Sequence, residues 1–401
     1  MKEVFIIDAI RTPIGKFGGS LKDTRPDDLA ALLISEIVKR NFENNNIPKE
    51  EIEDVILGNA NGAGEENRNV ARMSVLLGGL PVTVGGVTVN RLCGSGMQAF
   101  IDGVRGIRNG EGECFLTGGV ESMTRAPFVL AKNSEPFGRK VEMFDTTIGW
   151  RFINSKLSKL YHPYSMGETA ENVAEKYKIS RESQDEFAFN SQMKTKAAIE
   201  SGKFKNETIP VDIKLKKETV KFEKDEFARF DTTMESLSKL KPAFREGGTV
   251  TAGNSSGIND GASLLMIASE DFVKKHNLKP RARFISSAIA GVDPSCMGIG
   301  PVPATKKALE RAGLKLNDID LIELNEAFAA QSLACIHELD LNTEKINING
   351  GAIALGHPLG SSGSRILVTL LNEMEKQNEK RGLATMCIGV GQGIATIIER
   401  V

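Results

Sequence analysis

No apolar run in the chain approaches the roughly 18 uninterrupted residues that a membrane-spanning helix requires. Charge of one sign is also lacking. The 51 basic side chains are matched by 52 acidic ones, a net charge of −1, which excludes the basic footprint of a nucleic-acid binder and any attraction to an anionic membrane. Cysteine is sparse: Cys93, Cys114, Cys296, Cys335 and Cys387 are an odd number, widely scattered, and no two are spaced as a metal knuckle. A disulfide framework and a zinc site are therefore not expected, and a reducing compartment is the natural setting. The apolar start Val4–Ile7 is closed by Asp8 and followed by Arg11, so it reads as a buried first strand and not a signal sequence. Glu399, Arg400 and Val401 match no retention or peroxisomal address. A soluble, cytoplasmic protein is the expectation.

At 401 residues the chain exceeds one ordinary domain, and its 40% hydrophobic and 26% charged residues are those of a globular protein. Short β-branched runs alternate with amphipathic stretches: Val4–Ile7, then Leu29, Leu32, Leu33 and Ile37 at helical spacing, then Val55–Leu57 and Val87–Val89. The rhythm returns in the last third with Phe284–Ile285, a helix over Thr305–Ala312, runs at Leu321–Leu324 and Ile346–Ile348, a long helix after Gly363, and strands around Cys387 and Ile394–Ile398. This predicts an α/β fold. The middle breaks it. There lie the only Trp (Trp150) and all three Tyr, a helix capped by Ser180 with Phe189, Met193 and Ala197 on one face, and a Lys- and Glu-rich stretch from Lys203 to Glu246. We read it as an inserted loop domain over a site built by its flanks. The expected boundaries are 1–121 plus 250–271 for a first half, 122–249 for the insert and 272–401 for a second half. Asp54–Asn59 resembles Asp320–Asn325, and each is followed by a Gly-Ser-Gly-type turn opening a helix, Gly94-Ser-Gly96 and Ser362-Gly363-Ser364, which suggests duplication.

Four constellations carry chemistry. In Val87–Phe100 a β run ends at Cys93 and small residues enter a helix, a setting in which free N–H groups and the helix dipole lower a thiol pKa. In Asn349–Gly363, His357 stands among glycines before another helix, the only one of four histidines so presented. In Met386–Gly393 a second thiol, Cys387, precedes alternate glycines, which a hairpin tip alone would also explain. In Glu323–Phe328 a strand stops at a polar pair containing Asn325, whose bland reading is a helix cap. Together they supply a nucleophile, a base, a second titratable thiol and oxyanion donors, the set needed to form or break a carbon–carbon bond between thioesters.

These motifs resemble the thiolase family over essentially the whole chain, from Arg11-Thr-Pro-Ile-Gly15 through Gly118–Met123, Met166–Asn172, Thr249–Gly257 and Gly300–Pro303 to Cys387–Gly393. The resemblance implies a five-layered αβαβα fold of two similar halves with an inserted loop domain, and a homotetramer. It implies that Cys93 takes the acyl group, His357 deprotonates it and helps form an oxyanion hole, Cys387 moves the α-carbon proton, and Asn325 holds a water for the enolate oxygen. The N–H groups of Cys93 and Gly389 would form the second hole. Met166, Arg229, Ser236, Phe244, Ser256 and Phe328 would contact coenzyme A. The preferred reaction is condensation of two acetyl-CoA to acetoacetyl-CoA and its reverse, with longer 3-oxoacyl-CoAs as the alternative. No metal or prosthetic group is required. Ser165, where short-chain biosynthetic thiolases commonly carry histidine, and Val390, which interrupts a glycine run, depart from the pattern and bear on chain length. A decarboxylating ketoacyl synthase would need a second histidine where Cys387 stands. An acyl or sterol carrier should lack part of the thiol–histidine–thiol set.

Overall fold

In the computed structural model, which describes residues 2–133 and 135–401, strand β1 (Val4–Arg11) leads into helix α1 (Pro26–Asn41), β2 (Asp54–Gly58), α2 (Val70–Leu77), β3 (Gly85–Val89), α3 (Ser95–Asn109) and β4 (Cys114–Ser122). A long excursion carrying α4 (Met166–Lys176) and α5 (Arg181–Glu200) follows, and the chain re-enters the sheet as β5 (Asn259–Ser269). The remainder is β6 (Ala282–Gly291), α6 (Pro301–Ala312), β7 (Leu321–Leu324), α7 (Ala329–Leu339), α8 (Leu359–Gln377) and the hairpin β8 (Arg381–Ile388) to β9 (Gln392–Arg400). Among the described residues no helix is long and apolar enough to cross a membrane.

The strands run in the order β7-β8-β9-β6-β1-β5-β4-β2-β3. The two ends of that order repeat each other. On one side β2 pairs parallel with β4, β4 antiparallel with β5 and β5 antiparallel with β1. On the other β7 pairs parallel with β8, β8 antiparallel with β9 and β9 antiparallel with β6. The halves join at Phe5–Arg283 and Ile6–Ala282, where the sheet folds over a central pair of helices. Side-chain alternation then assigns the layers. Val55, Leu57, Leu264 and Met266 face α1 and α2, while Ile56, Leu265 and Ile267 face α3 and α8. Ile394 and Ile398 meet the same central helices from the other side, and Ile397 with Leu324 meets α6 and α7. This is the five-layered αβαβα arrangement, and Asp54–Asn59 and Asp320–Asn325 fall on the equivalent strands β2 and β7. Full burial of each such aliphatic side chain contributes about 1.5–3 kcal/mol.

Three local expectations are corrected. The run Ile346–Ile348 forms no strand but a single parallel bridge, Ile322–Ile346, because Asn347 turns left-handed (φ 43°) and its side chain bonds the N–H and C=O of Leu324. Gly96 and Gly363 sit inside their helices and not in turns before them. The buried face of α5 is polar: Ser191 donates to Glu326, Thr195 to the Asn349 carbonyl and Gln192 to the Ile353 carbonyl, whereas Ala197 is exposed. Apolar periodicity misses a helix that docks on backbone. The Ser180 cap of α5 is present. The excursion is also bolted to the first half: Ile209, Val211 and Phe222 join its core, and buried Arg11 pairs with Glu207 at 2.6 Å and Asp225 at 2.7 Å.

Candidate active site

Cys93 follows β3 on a turn held by side chains. Leu92 has a left-handed backbone (φ 48°), rare for a branched residue and costly unless its surroundings enforce it. They do: Asn90 accepts from Leu92 N–H at 2.9 Å, and the Ser95 hydroxyl bridges Arg91 N–H at 2.8 Å and the Leu92 carbonyl at 2.6 Å. The Cys93 thiol is pushed up to about 11, chiefly by burial, while the N–H groups of Gly389 and of Cys93 itself bond its sulfur and pull the other way, and the Glu121 charge adds a further rise. The expected net lowering is thus reversed. Two N–H groups opposing the loss of hydration do not overcome it, so the group rests as a thiol.

His357 lies in the loop before α8, its N–H bonded to Asn259 Oδ1 at 3.0 Å. Its ring is buried and its pKa falls to about 3, mainly through burial and secondarily through the Arg365 charge, so the imidazole is neutral. Ser362 fixes the tautomer. Its one hydroxyl proton goes to the Pro358 carbonyl at 2.9 Å, so Oγ accepts from His357 Nδ1–H at 2.6 Å. Nε2 is left with its lone pair, buried and without a partner. A neutral imidazole with a free Nε2 is a base awaiting a proton.

Cys387 is the penultimate residue of β8, packed among Met166, Ala170, Val250, Met297, Ala327 and Phe328. Burial lifts its thiol well above the ordinary range, and the charge of Cys93 lifts it further, which puts the two sulfurs in one field. Asn325 follows β7. The cap reading fails: α7 starts at Ala329 without a side-chain cap, and the Asn325 carboxamide is buried with neither Oδ1 nor Nδ2 bonded. A buried amide lacking both partners is costly and marks a place for water or ligand. Gly389 opens the β8–β9 turn, flanked by Leu92 and Met166, and Val390 behind it is left-handed (φ 61°). Cys93, Asn325, Cys387 and Gly389 thus all stand at the C-terminal ends of β3, β7 and β8, where α/β sheets gather ligand sites.

Four of the six residues expected to contact coenzyme A gather beside Cys387. Met166 is the first residue of α4, whose capping box is made by Ser165 and Glu168, which accounts for serine there. The half-exposed Phe244 ring lies on Gly167, where an added Cβ would stand 2.1 Å from it, and packs edge-on to Phe328 at 6.2 Å. Ser256 donates its N–H to the Ala327 carbonyl. Arg229 is reached through Phe227, whose ring it covers at 5.6 Å and which rests on Gly257. Ser236 is exposed, with its hydroxyl donating to the Thr233 carbonyl.

Two participants were not read from sequence. Ser362 had a signal in its place five residues after His357. Glu121 had one in the Gly118–Met123 motif, which assigned it no role: buried on β4, it accepts from Ala60 N–H and Gly360 N–H, both at 2.8 Å, from Asn61 N–H at 3.1 Å and from Asn59 at 3.3 Å, clasping the loop after β2 to the start of α8. Burial still raises it to about 7. Among the described residues no three His, Cys, Asp or Glu converge as a metal site. A cavity of about 670 Å³ between α5 and α7, lined by Phe187, Lys194, Glu326 and Asn347, lies apart from the thiols and His357.

A thiol, a neutral imidazole, a second thiol and an orphaned carboxamide in a twofold-repeated αβαβα frame are the groups that acyl transfer through a cysteine would use. Residues 4–271 match the thiolase N-terminal domain and residues 278–400 the thiolase C-terminal domain. The chain is 55% identical over 404 residues to the 3-oxoadipyl-CoA/3-oxo-5,6-dehydrosuberyl-CoA thiolase of Escherichia coli K12, covering 100% of both. It is 47% identical to the acetyl-CoA acetyltransferase of Syntrophomonas wolfei, over 99% of both chains. The crystal structure of Bacillus anthracis acetyl-CoA acetyltransferase superposes with a TM-score of 0.94 at 43% identity, over 100% of this chain and 99% of that one. The chain belongs to the thiolase family.

Proposed function

We propose that this thiolase cleaves 3-oxoadipyl-CoA with coenzyme A, giving succinyl-CoA and acetyl-CoA. What supports the reading is the set of a neutral His357 with free Nε2, an unpartnered Asn325 and the thiols Cys93 and Cys387, on a chain 55% identical throughout to the thiolase named for that substrate. His357 Nε2 takes the Cys93 proton as the sulfur adds to the 3-oxo carbon. Because both groups rest neutral, the thiolate forms only as it attacks. The alkoxide sits against the N–H groups of Cys93 and Gly389. Its collapse breaks the C2–C3 bond, leaving the succinyl thioester on Cys93 and the acetyl-CoA enolate, whose oxygen faces His357 and a water held by Asn325. Cys387 S–H protonates C2. In the second half the coenzyme A thiol gives its proton to the Cys387 thiolate and adds to the thioester, and Cys93 leaves with the proton from His357. Every atom balances without a metal or prosthetic group.

A second reading, acetoacetyl-CoA cleavage or formation, is the one preferred from sequence and is favoured by the acetyl-CoA acetyltransferase relative and structure. Both readings use the same residues and differ in the acyl tail. Thiolysis rates on the two substrates, for the wild type and Cys93→Ala, separate them. Faster 3-oxoadipyl-CoA cleavage, abolished by the substitution, supports the first, and turnover of acetoacetyl-CoA alone replaces it with the second. A homotetramer is part of the proposal, supported by exposed apolar side chains on the excursion (Phe128, Leu130, Met143, Ile148, Leu160) and by Val87 on edge strand β3. Sedimentation as a monomer at micromolar concentration would count against it.

A further inference from the structure

The two readings differ by a terminal carboxylate, and one side chain offers it a receptor. Arg151 is half-buried in the excursion and takes part in no ion pair among the described residues. Its guanidinium has one protein bond, a long 3.4 Å donation from Nη2 to Asn61 Oδ1. A guanidinium presents five donors in a planar fork matched to a carboxylate, so a partly desolvated one with a single weak acceptor is an unfilled anion site.

Its place is fixed by the chain around it. Gly149 (φ 84°) and Phe152 (φ 51°) are left-handed, bracketing Trp150 and Arg151 in a tight path. The Trp150 indole donates to the Tyr164 carbonyl at 2.9 Å, and the Phe152 ring packs on Phe144 at 4.8 Å. Phe152 in that conformation is strained, which its neighbours must offset. Asn61, buried, ties this segment to the sheet by donating from Nδ2 to the Thr146 hydroxyl at 2.9 Å and to its carbonyl at 3.1 Å.

The segment that bears Arg151 is also tied to the candidate site. Asn61 follows the C-terminal end of β2, between the parallel strands β3 and β4. Its N–H bonds Glu121, whose charge acts on Cys93. The neighbouring Ala60 carbonyl accepts from Asn90, which holds the Leu92 turn before the nucleophile. Tyr164, which anchors Trp150, lies two residues before Met166 at the Gly389 turn. The segment bearing Arg151 is therefore fastened both to the Cys93 loop and to the start of α4. The nearest cation in sequence, Arg91, is already engaged: Nε donates to Gln98 at 2.7 Å and Nη1 to Gln392 at 2.8 Å. The negative charge of Glu121, which would otherwise repel an anionic tail, is covered by its four donors.

We propose that Arg151 binds the terminal carboxylate of a dicarboxylic 3-oxoacyl-CoA and thereby selects it over an uncharged chain of equal length. The inference rests on the 3-oxoacyl-CoA thiolysis proposed above and adds the residue that sets its specificity.

The test is kcat/KM for thiolysis of 3-oxoadipyl-CoA and of 3-oxohexanoyl-CoA, the same chain ending in methyl, with wild type, Arg151→Met and Arg151→Lys. Arg151→Met should lose roughly 10- to 100-fold on the diacid while changing less than about threefold on the methyl-ended chain, as for one lost charge-assisted bond. Arg151→Lys, which keeps the charge and loses the fork, should fall between. Activity on 3-oxohexanoyl-CoA reports folding within the same experiment. Equal losses on both substrates, or an undiminished preference for the diacid in Arg151→Met, would overturn the assignment and leave the proposed reaction standing. A wild type that cleaves 3-oxohexanoyl-CoA at least as well as 3-oxoadipyl-CoA would overturn the diacid reading and the role of Arg151 with it.

Discussion

Gly96 and Gly363, the second and fifth residues of the two central helices, each lie against the backbone of the other helix. A Cβ on Gly96 would stand 2.8 Å from the Gly360 carbonyl and 2.9 Å from Ser364 N, and one on Gly363 would stand 2.5 Å from Met97 N. Because α3 starts two residues after Cys93 and α8 two residues after His357, this crossing sets the distance between those two residues, the proposed nucleophile and base. Gly363→Ala should cost about 1–3 kcal/mol by overpacking against backbone that has no rotamer to change. It should also lower kcat roughly 10-fold or more, since displacements of under an ångström matter to reacting groups. Urea unfolding and steady-state thiolysis check both. Unchanged values in the two would mean that the helices have slack at their crossing.

Ser362 should matter to rate although it touches no substrate. Its hydroxyl proton goes to the Pro358 carbonyl, so removing Oγ leaves His357 Nδ1–H without an acceptor and frees the other tautomer. Ser362→Ala should lower kcat roughly 10- to 100-fold, within the range a positioned general base contributes. Nitrogen chemical shifts of the His357 ring should report a loss of the Nδ1–H form, and Ser362→Thr should restore it. A merely structural role would leave those shifts unmoved.

Much of this was legible because apolar alternation and backbone-contact motifs are local signals. The strands at Val55–Leu57 and Leu321–Leu324 bury on both faces, so their runs show directly, and Cys93 and His357 each stand beside a glycine, with Gly389 two residues after Cys387 and Ala327 two after Asn325. What no local pattern assigns a role depends on partners distant in sequence. Glu121 is ordinary until Ala60, Asn61 and Gly360 converge on it, and the polar face of α5 makes sense only against Asn349 and Ile353. The Cys93 thiol was misjudged in the same way: a helix start predicts a lowered pKa, and burial by both halves of the fold reverses it. The substrate tail is hardest to read, since Arg151 in a string of residues is one of many cations until its want of a partner is seen.

Asn325 should be a liability for stability that activity requires. Both polar atoms of its carboxamide are buried without partners, and each such atom forfeits hydration. Asn325→Leu, close in size and free of that penalty, should raise the unfolding free energy by about 1 kcal/mol while lowering kcat/KM roughly 100-fold or more, in line with the loss of an oxyanion donor. Denaturant unfolding and thiolysis kinetics on the same preparation test it. A less stable but fully active variant would remove Asn325 from the site.

His357 should make the fold sensitive to mild acid. Its pKa is about 3 in the folded protein, through burial and then Arg365, against about 6.5 for an exposed histidine. A depressed folded value means that the unfolded chain binds the proton first. The contribution of neutral His357 to stability is therefore complete above about pH 6.5 and is lost as pH falls toward 3. Between pH 7 and pH 5 the loss amounts to about 2 kcal/mol. His357→Asn has no such proton to take up, so its unfolding free energy should fall by about 2 kcal/mol less than that of wild type over the same interval, with acid effects from other groups common to both. Parallel wild-type and variant curves between pH 5 and pH 7 would mean that folded His357 takes up its proton over the same pH range as the unfolded chain, so that burial does not hold the imidazole neutral in mild acid.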